Sequence, residues 1–111
     1  MLATEPLARA RPILGDTIEP YRWPDTTLLL YLDDAQGEII RRRSDAGLSL
    51  TGVVLAPPKL AAVGSTMTVG GAFLQACADY VLWRAFSQDA EHAANAVRAT
   101  SHLQAFAAEI G

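Results

Sequence analysis

The chain has 111 residues, half of them apolar and fewer than a fifth charged, with a net charge of −3 and a pI near 5.2. This length fits a single domain, 1–111, with one modest core, and the composition is too hydrophobic for a disordered chain. The acidic balance argues against a general nucleic-acid binder, which needs a concentrated basic surface to neutralise phosphates. No stretch resembles a signal peptide or approaches the ~20 apolar residues of a membrane span, so we expect a soluble protein made in the cytoplasm with no membrane partner.

The first half of the chain predicts two helices separated by a proline-bearing turn. Thr4 can cap a helix over 4–14, which Gly15 ends. Asp25 or a neighbour then opens a long helix over 25–43. One face of this helix carries six apolar residues: Leu28, Leu29, Leu32, Ala35, Ile39 and Ile40.

Leu30 falls nearly opposite that apolar face, so an isolated copy leaves it exposed to solvent. It is therefore a candidate contact with another subunit, although single exposed leucines are common and the alternative stays open. Arg41, Arg42 and Arg43 close the same helix, where cations favour the negative end of the helix dipole. This arginine turn is either simply solvated or in contact with an acidic partner or passing DNA.

Residues 44–70 break helical periodicity with repeated glycine and proline. The runs 50–54 and 66–69 suit two short strands, so we expect a short β-hairpin or extended arm between the second and third helices. An isolated two-stranded hairpin is only marginally stable in water, so we expect an ordered arm to pack against a neighbour. Val53 and Val54 are its candidate contact residues.

The next segment, 72–86, predicts a helix that is apolar almost all the way round, which is typical of a central helix. Asp79 and Arg84 must then find partners, because an unpaired buried charge costs several kcal/mol.

A fourth helix is predicted over 88–109, with a core-facing stripe of small and apolar side chains and an opposite polar face. Phe106 is stranded at the edge of the polar face and becomes a second candidate contact. The stripe comprises Ala93, Ala96, Val97, Thr100, Leu103 and Ala107. The polar face comprises Glu91, Asn95, Arg98, His102 and Glu109.

No pattern in the chain predicts a catalytic, cofactor-binding or metal site, and we expect no enzyme. His92 and His102 are ten residues apart and about 80° apart on a helical wheel, too far to share a metal ion, and both are expected at the surface. Asp33 and Asp34 diverge by about 100°, which does not suit paired acid–base catalysis. Cys77 lies in an apolar helical run and is expected to be a small buried hydrophobe.

Two aromatic and charged segments carry a resemblance to a known family. In chain order they resemble the N-terminal and C-terminal signatures of head-to-tail adaptor proteins of tailed bacteriophages, and together they cover about half the chain. The first runs from Pro20-Tyr21-Arg22-Trp23 through Leu28-Leu29 and Tyr31-Leu32-Asp33-Asp34-Ala35-Gln36 to Glu38-Ile39-Ile40. The second runs from Asp79-Tyr80-Val81-Leu82-Trp83-Arg84-Ala85-Phe86 to Arg98-Ala99.

The resemblance implies a structural virion protein at the head–tail interface. Such a subunit forms a ring of twelve copies, docks on the portal protein, and connects it to a tail or nozzle protein while DNA passes through the channel. The fold implied is an all-α, four-helix bundle with the arm between helices two and three. Within it, Tyr21, Arg22, Trp23, Asp79 and Tyr80 are expected to act as a structural clamp, and Trp83 joins the candidate contact residues.

A small helical DNA-binding or regulatory protein is the alternative. It would use the arginine turn and a helix-turn-helix element, whose recognition helix reads bases near its start. Neither short inter-helix turn of this chain opens onto basic residues, which counts against this alternative.

Overall fold

The computed structural model describes residues 1–16, 22–43, 59–88 and 93–111. The helices in these ranges are α1 (Thr4–Leu14), α2 (Asp25–Arg42), α3 (Leu74–Gln88) and α4 (Ala93–Ile110), with a 3-10 turn (Gly71–Phe73) before α3. The fold is mainly all-α, as predicted. The bounds of α1 and α2 match the prediction to within a residue. Gln88 belongs to α3, so the fourth helix does not begin there as predicted.

The ends of the first two helices follow from local hydrogen bonding. Gly15 ends α1 as predicted, in the left-handed region with φ 68, and its N–H donates to the carbonyl of Pro12 at 3.1 Å. Thr4 does not cap α1 but is its first helical residue. The carboxylate of Glu5 instead accepts the N–H of Leu2 at 2.7 Å, which satisfies a donor at the start of the helix.

Helix α3 lies at the centre of the bundle, in contact with α1, α2 and α4. Every residue from 76 to 82 is buried. This confirms the prediction of a central helix from its nearly continuous apolar surface. The consequence is that Asp79, within that run, has to be satisfied by other protein groups.

The predicted apolar face of α2 is the buried face. All six residues named for it lie in the core, while Leu30 is 50% exposed. Gln36 is also fully buried, which its polarity did not suggest. Its side-chain oxygen accepts the backbone N–H groups of Thr68 and Val69 at 2.6 and 3.1 Å, so it fastens the segment before α3 onto α2.

The described part of the predicted arm, 59–70, contains no strand. Thr66 makes an isolated antiparallel bridge with Leu2 near the start of the chain. The N–H groups of Thr68 and Val69 donate to Gln36 rather than to a partner strand, which is why 66–69 does not form the predicted strand. The other predicted strand, 50–54, with Val53 and Val54, lies outside the described residues.

Helix α4 faces the core with a different side from the one predicted. Val97 is 67% exposed, and Ala96, Thr100 and Ala107 of the predicted stripe also face solvent. The buried side is instead made by Ala99, Phe106 and Ile110. Burying a phenylalanine and an isoleucine removes far more apolar area from water than burying alanines, and this difference decides the rotation of the helix.

The structure therefore corrects the expectation for Phe106. Its side chain is 1% exposed, and its ring meets that of Tyr80 edge to face at 5.1 Å between centroids. Phe106 is a core residue that joins α4 to α3, and its side chain is not on the surface for a second subunit to contact.

Replacing Gln36 with methionine tests the anchor between α2 and the segment before α3. Gln36→Met keeps the side-chain volume but removes the acceptor for two backbone donors, and it also removes the buried Nε2, which has no hydrogen-bond partner among the described residues. We expect a net loss of about 2 kcal/mol in the free energy of unfolding, measured with denaturant. The matched change Gln104→Met, at an exposed position of α4, should stay within about 0.5 kcal/mol. Equal stability of both variants would contradict the anchor.

Candidate functional site

Arg84 of α3 forms a joint with α2. Its guanidinium donates to the carboxylate of Asp34 at 2.9 Å and to the hydroxyl oxygen of Tyr80 at 3.3 Å. The same group lies 4.8 Å from the ring centroid of Tyr31 and 5.9 Å from that of Trp83. We call these five residues the Arg84 joint.

The electrostatics of the Arg84 joint favour a fixed positive charge. Partial burial by itself lowers the pKa of Arg84, but the hydrogen bonds to Tyr80 and Asp34 outweigh it and raise that pKa. Burial also raises the pKa of Tyr80, which keeps the phenol neutral. Arginine suits this position because its planar group can stack on aromatic rings while it bonds a carboxylate in its own plane.

A second polar cluster lies where the chain enters α2. Asp16 is buried and accepts the backbone N–H of Trp23 at 2.9 Å and a guanidinium N–H of Arg11 at 3.0 Å. Arg11 is also buried, and it donates further to the carbonyl of Trp23 and to the carboxylate of Asp25. The two aspartates neutralise the arginine, and together they fix the direction in which α2 begins.

The predicted clamp residues around Trp23 belong to this entry cluster. Trp23 is 8% exposed and lies in the core, and the guanidinium of Arg22 is 4.7 Å from its ring centroid. The backbone N–H of Arg22 donates to Asp16 at 2.8 Å. Tyr21 lies outside the described residues. Arg11 and Asp16 carry the polar contacts of the cluster, and the only signal for them in the sequence is that they lie 12 and 7 residues before Trp23.

Asp79 anchors α4 to α3. Its side chain is buried, and its carboxylate lies 2.8 Å from Nδ1 of His102 and accepts a 3.3 Å hydrogen bond from the amide of Gln75. The imidazole of His102 also stacks on Phe86 at 5.8 Å. The expectation of a surface position was therefore wrong for His102, since the rotation of α4 brings it against α3. The sequence did contain one sign of this contact: Asp79, in a buried helix, needs a polar partner.

The candidate contact residues lie at separate places on the described surface. Leu30 borders a shallow groove that is also lined by Thr26, Leu29, Asp33 and the 60–61 segment. Trp83 is half-buried, with its ring edge to face with Tyr80 at 5.1 Å. The structure thus leaves Leu30 open and places Trp83 mostly in the Arg84 joint.

The arginine turn is partly neutralised and tied to α4. Arg41 and Arg42 both donate to Glu38, and the hydrogen bond from Arg41 is the main cause that lowers the pKa of Glu38. Arg43 donates to the carbonyl of Ile110 at 3.3 Å, and the guanidinium of Arg42 lies 5.7 Å from the ring of Phe106. Of the two arginines that bond Glu38, Arg41 is the more exposed, with 68% of its side chain accessible to solvent.

An uncharged surface on α4 was not among the predicted contacts. A shallow depression there is lined by Ala96, Val97, Thr100, Ser101 and Gln104. Because the core uses the other side of α4, this surface keeps Val97 as the most exposed large apolar side chain in the described part of the chain.

Other chemistry is limited within the described residues. Cys77 is fully buried, and burial raises the pKa of its thiol to about 12, so it packs as a small hydrophobe. No group of three His, Cys, Asp or Glu side chains in the described ranges could hold a metal ion. The described helices also include none with the length and apolar character needed to cross a membrane.

Comparisons with known proteins give no match: no family model, no curated protein and no solved structure is similar to this chain. The function is therefore inferred from the side chains described above and from the resemblance of the two segments.

Substituting lysine for Arg84 tests the Arg84 joint. Arg84→Lys keeps the charge but loses the planar group that stacks on Tyr31, so we expect a loss of about 1 kcal/mol in the free energy of unfolding. Arg41→Lys, at an exposed ion pair with Glu38, is the matched control and should leave the free energy of unfolding unchanged within error. Denaturant titrations of both variants provide the measurement. If Arg84→Lys leaves the free energy of unfolding unchanged, the stacking of Arg84 on Tyr31 does not stabilise the fold.

Proposed function

We propose that this chain is a structural virion protein, a head-to-tail adaptor whose copies form a ring on the portal protein and connect it to the tail. The observation that supports this most is the Arg84 joint. Its members come from both segments that carry the resemblance: Tyr31 and Asp34 from the first, Tyr80, Trp83 and Arg84 from the second. The residues behind the resemblance thus form one set of contacts rather than two unrelated stretches.

A rigid joint between α2 and α3 suits a ring subunit. In a closed ring each copy repeats the same head-to-tail contact, so a small change in the angle between two helices accumulates around the ring and prevents closure. The Arg84 joint fixes that angle with an ion pair, a hydrogen bond and aromatic stacking. The entry cluster around Asp16 adds a second fixed point at the start of α2.

A head-to-tail ring needs two different surfaces on each copy, and the described surface offers two that are mainly apolar. One is the groove beside Leu30, and the other is the α4 surface with Val97. Cores of protein interfaces are depleted in charge; the α4 surface has no charged lining residue, and the groove beside Leu30 has one, Asp33. Phe106 is withdrawn from the proposed contacts because it is buried, while Val53 and Val54 remain predictions.

The activity proposed is geometric and breaks no bond. The portal protein binds one end of the ring, a tail or nozzle protein binds the other, and DNA only passes through the shared channel. Arg41 and its neighbours in the arginine turn are the proposed contact with an acidic partner or with the passing DNA. The site of action would be the head–tail interface of the virion.

Mixing the purified chain with the portal protein of the same source tests this function. We expect a ring-shaped complex on the portal, seen by sedimentation and by electron microscopy. The chain alone need not form a ring, because assembly can depend on the portal as platform. Absence of portal binding, together with salt-sensitive binding to duplex DNA, would overturn the proposal and favour the DNA-binding alternative.

A substitution at Leu30 tests the proposed subunit contact. Leu30→Asp places a second carboxylate in the groove, one helical turn from Asp33, and should lower the yield of rings on the portal at least tenfold, since an unpaired charge in an interface costs more than about 1.4 kcal/mol. Ile13→Asp changes an equally exposed side chain at the end of α1 and should leave assembly intact. Circular dichroism should show both variants folded. If Leu30→Asp forms rings as well as the natural chain does, Leu30 is not part of the contact between subunits.

A further inference from the structure

The depression on α4 has the form of a hole in the surface of a single helix. Val97, Thr100, Ser101 and Gln104 line it at the spacing i, i+3, i+4 and i+7, so they are neighbours on one side of the helix. Four residues of one helix are what receives a side chain from a facing helix in knobs-into-holes packing. Ala96 completes the lining, and none of these side chains is charged. We call the four residues the α4 hole, and a single apolar side chain of another helix suits it.

Helix α2 carries such a side chain on its outer side. Leu30 is 50% exposed, and Gly37, also exposed, lies seven residues later and within about 20° of Leu30 around the helix. A Cβ at Gly37 would meet no atom within 4 Å. The described fold therefore gives no reason for this glycine, which costs about 1 kcal/mol relative to alanine inside a helix. A second helix packed along this side gives one, because a glycine allows a close approach.

We propose that Leu30 of one copy inserts into the α4 hole of a second copy, with α2 running antiparallel to the α4 of its neighbour. The two surfaces cannot meet within one copy, because α2 and α4 both turn their buried sides toward α3 and these surfaces away from it. Each copy then offers one knob and one hole, so the contact is head-to-tail and repeats from copy to copy. As the contact between ring subunits it rests on the proposed function, but it is measured apart from portal binding.

The charges beside the two surfaces select the antiparallel direction. Asp33 lines the groove three residues after Leu30, and Arg98 is exposed just before the middle of the α4 hole in sequence. At about 1.5 Å of rise per residue, an antiparallel α2 with Leu30 in the hole brings Asp33 level with Arg98. A parallel α2 would move Asp33 away from Arg98 and bring Glu38 level with Glu109, a group of like charge. Opposite charges at the rim of an interface fix its register, whereas like charges are costly.

Disulfide cross-linking between two chains, each with one introduced cysteine, tests the contact. Cys77 is fully buried, and burial raises the pKa of its thiol to about 12, so an introduced surface cysteine is the reactive one. Antiparallel packing brings Thr26 level with Gln104, whereas parallel packing would bring it level with Ala96, and all three residues are exposed. We expect Thr26→Cys mixed with Gln104→Cys to form the linked dimer at least tenfold faster than Thr26→Cys mixed with Ala96→Cys. In the second mixture the Cα atoms lie beyond the ~7 Å that a disulfide can bridge.

A change at the knob provides the control. Leu30→Asp, added to the Thr26→Cys chain, should slow the cross-link at least tenfold, while Ile13→Asp, at a similarly exposed apolar position, should leave it unchanged. Circular dichroism should show both chains folded. Equal rates for Gln104→Cys and Ala96→Cys, or faster linking to Ala96→Cys, would contradict the antiparallel contact. Thr26→Cys chains that link to one another as fast as to Gln104→Cys would indicate a symmetric contact and also overturn the proposal.

Portal binding by the same chains, followed by sedimentation with and without the portal protein, allows the two proposals to fail separately. Rings on the portal that lack the cross-link between residues 26 and 104 would overturn this contact and leave the adaptor function standing. The cross-link without portal binding would support the contact and overturn the adaptor function. Absence of both would overturn both.

Discussion

The arrangement of the bundle depends on one constraint, which is that the central helix carries charges inside an otherwise apolar surface. An unpaired buried charge costs several kcal/mol, so the helices around α3 have to supply partners. Helix α2 supplies Asp34 to Arg84, and α4 supplies His102 to Asp79. Apolar packing sets which side of each helix faces the core, and these pairs stabilise the rotation that also brings the partners together. The two charges of α3 and the apolar sides of its neighbours thus favour the same arrangement.

The contrast between α2 and α4 explains how much of the fold could be predicted. In α2 the large apolar residues lie on one side, so the helical wheel has a single solution and all six predicted core positions are buried. In α4, alanines lie on several sides of the helix. A helical wheel counts each alanine as equal to Phe106, so it does not identify the buried side. The buried side follows from side-chain size and from Asp79, which needs His102 from a position 23 residues further along the chain. The need for a partner was visible in the sequence, but its identity depended on how α3 and α4 cross.

The segment before α3 shows a different limit of prediction. Thr66 and Val69 have high strand propensity, yet propensity describes a half-buried pleated surface and not a particular pairing. Gln36, a buried polar residue on α2, supplies the acceptor that a partner strand would have given. Tertiary context therefore replaced a β ladder with two hydrogen bonds to one side chain. Buried polar residues of this kind, like Asp16 in the entry cluster, are the part of the site that hydrophobic periodicity does not detect.

The two charged joints of α3 tie the central helix to different neighbours. The Arg84 joint keeps its positive charge, because an arginine with a raised pKa stays protonated and the phenol of Tyr80 stays neutral. Asp79 instead joins α3 to α4, through the imidazole of His102. For a ring subunit this division is useful, because both neighbours of the central helix are held by polar contacts while the surfaces beside Leu30 and Val97 stay open for contact with other copies.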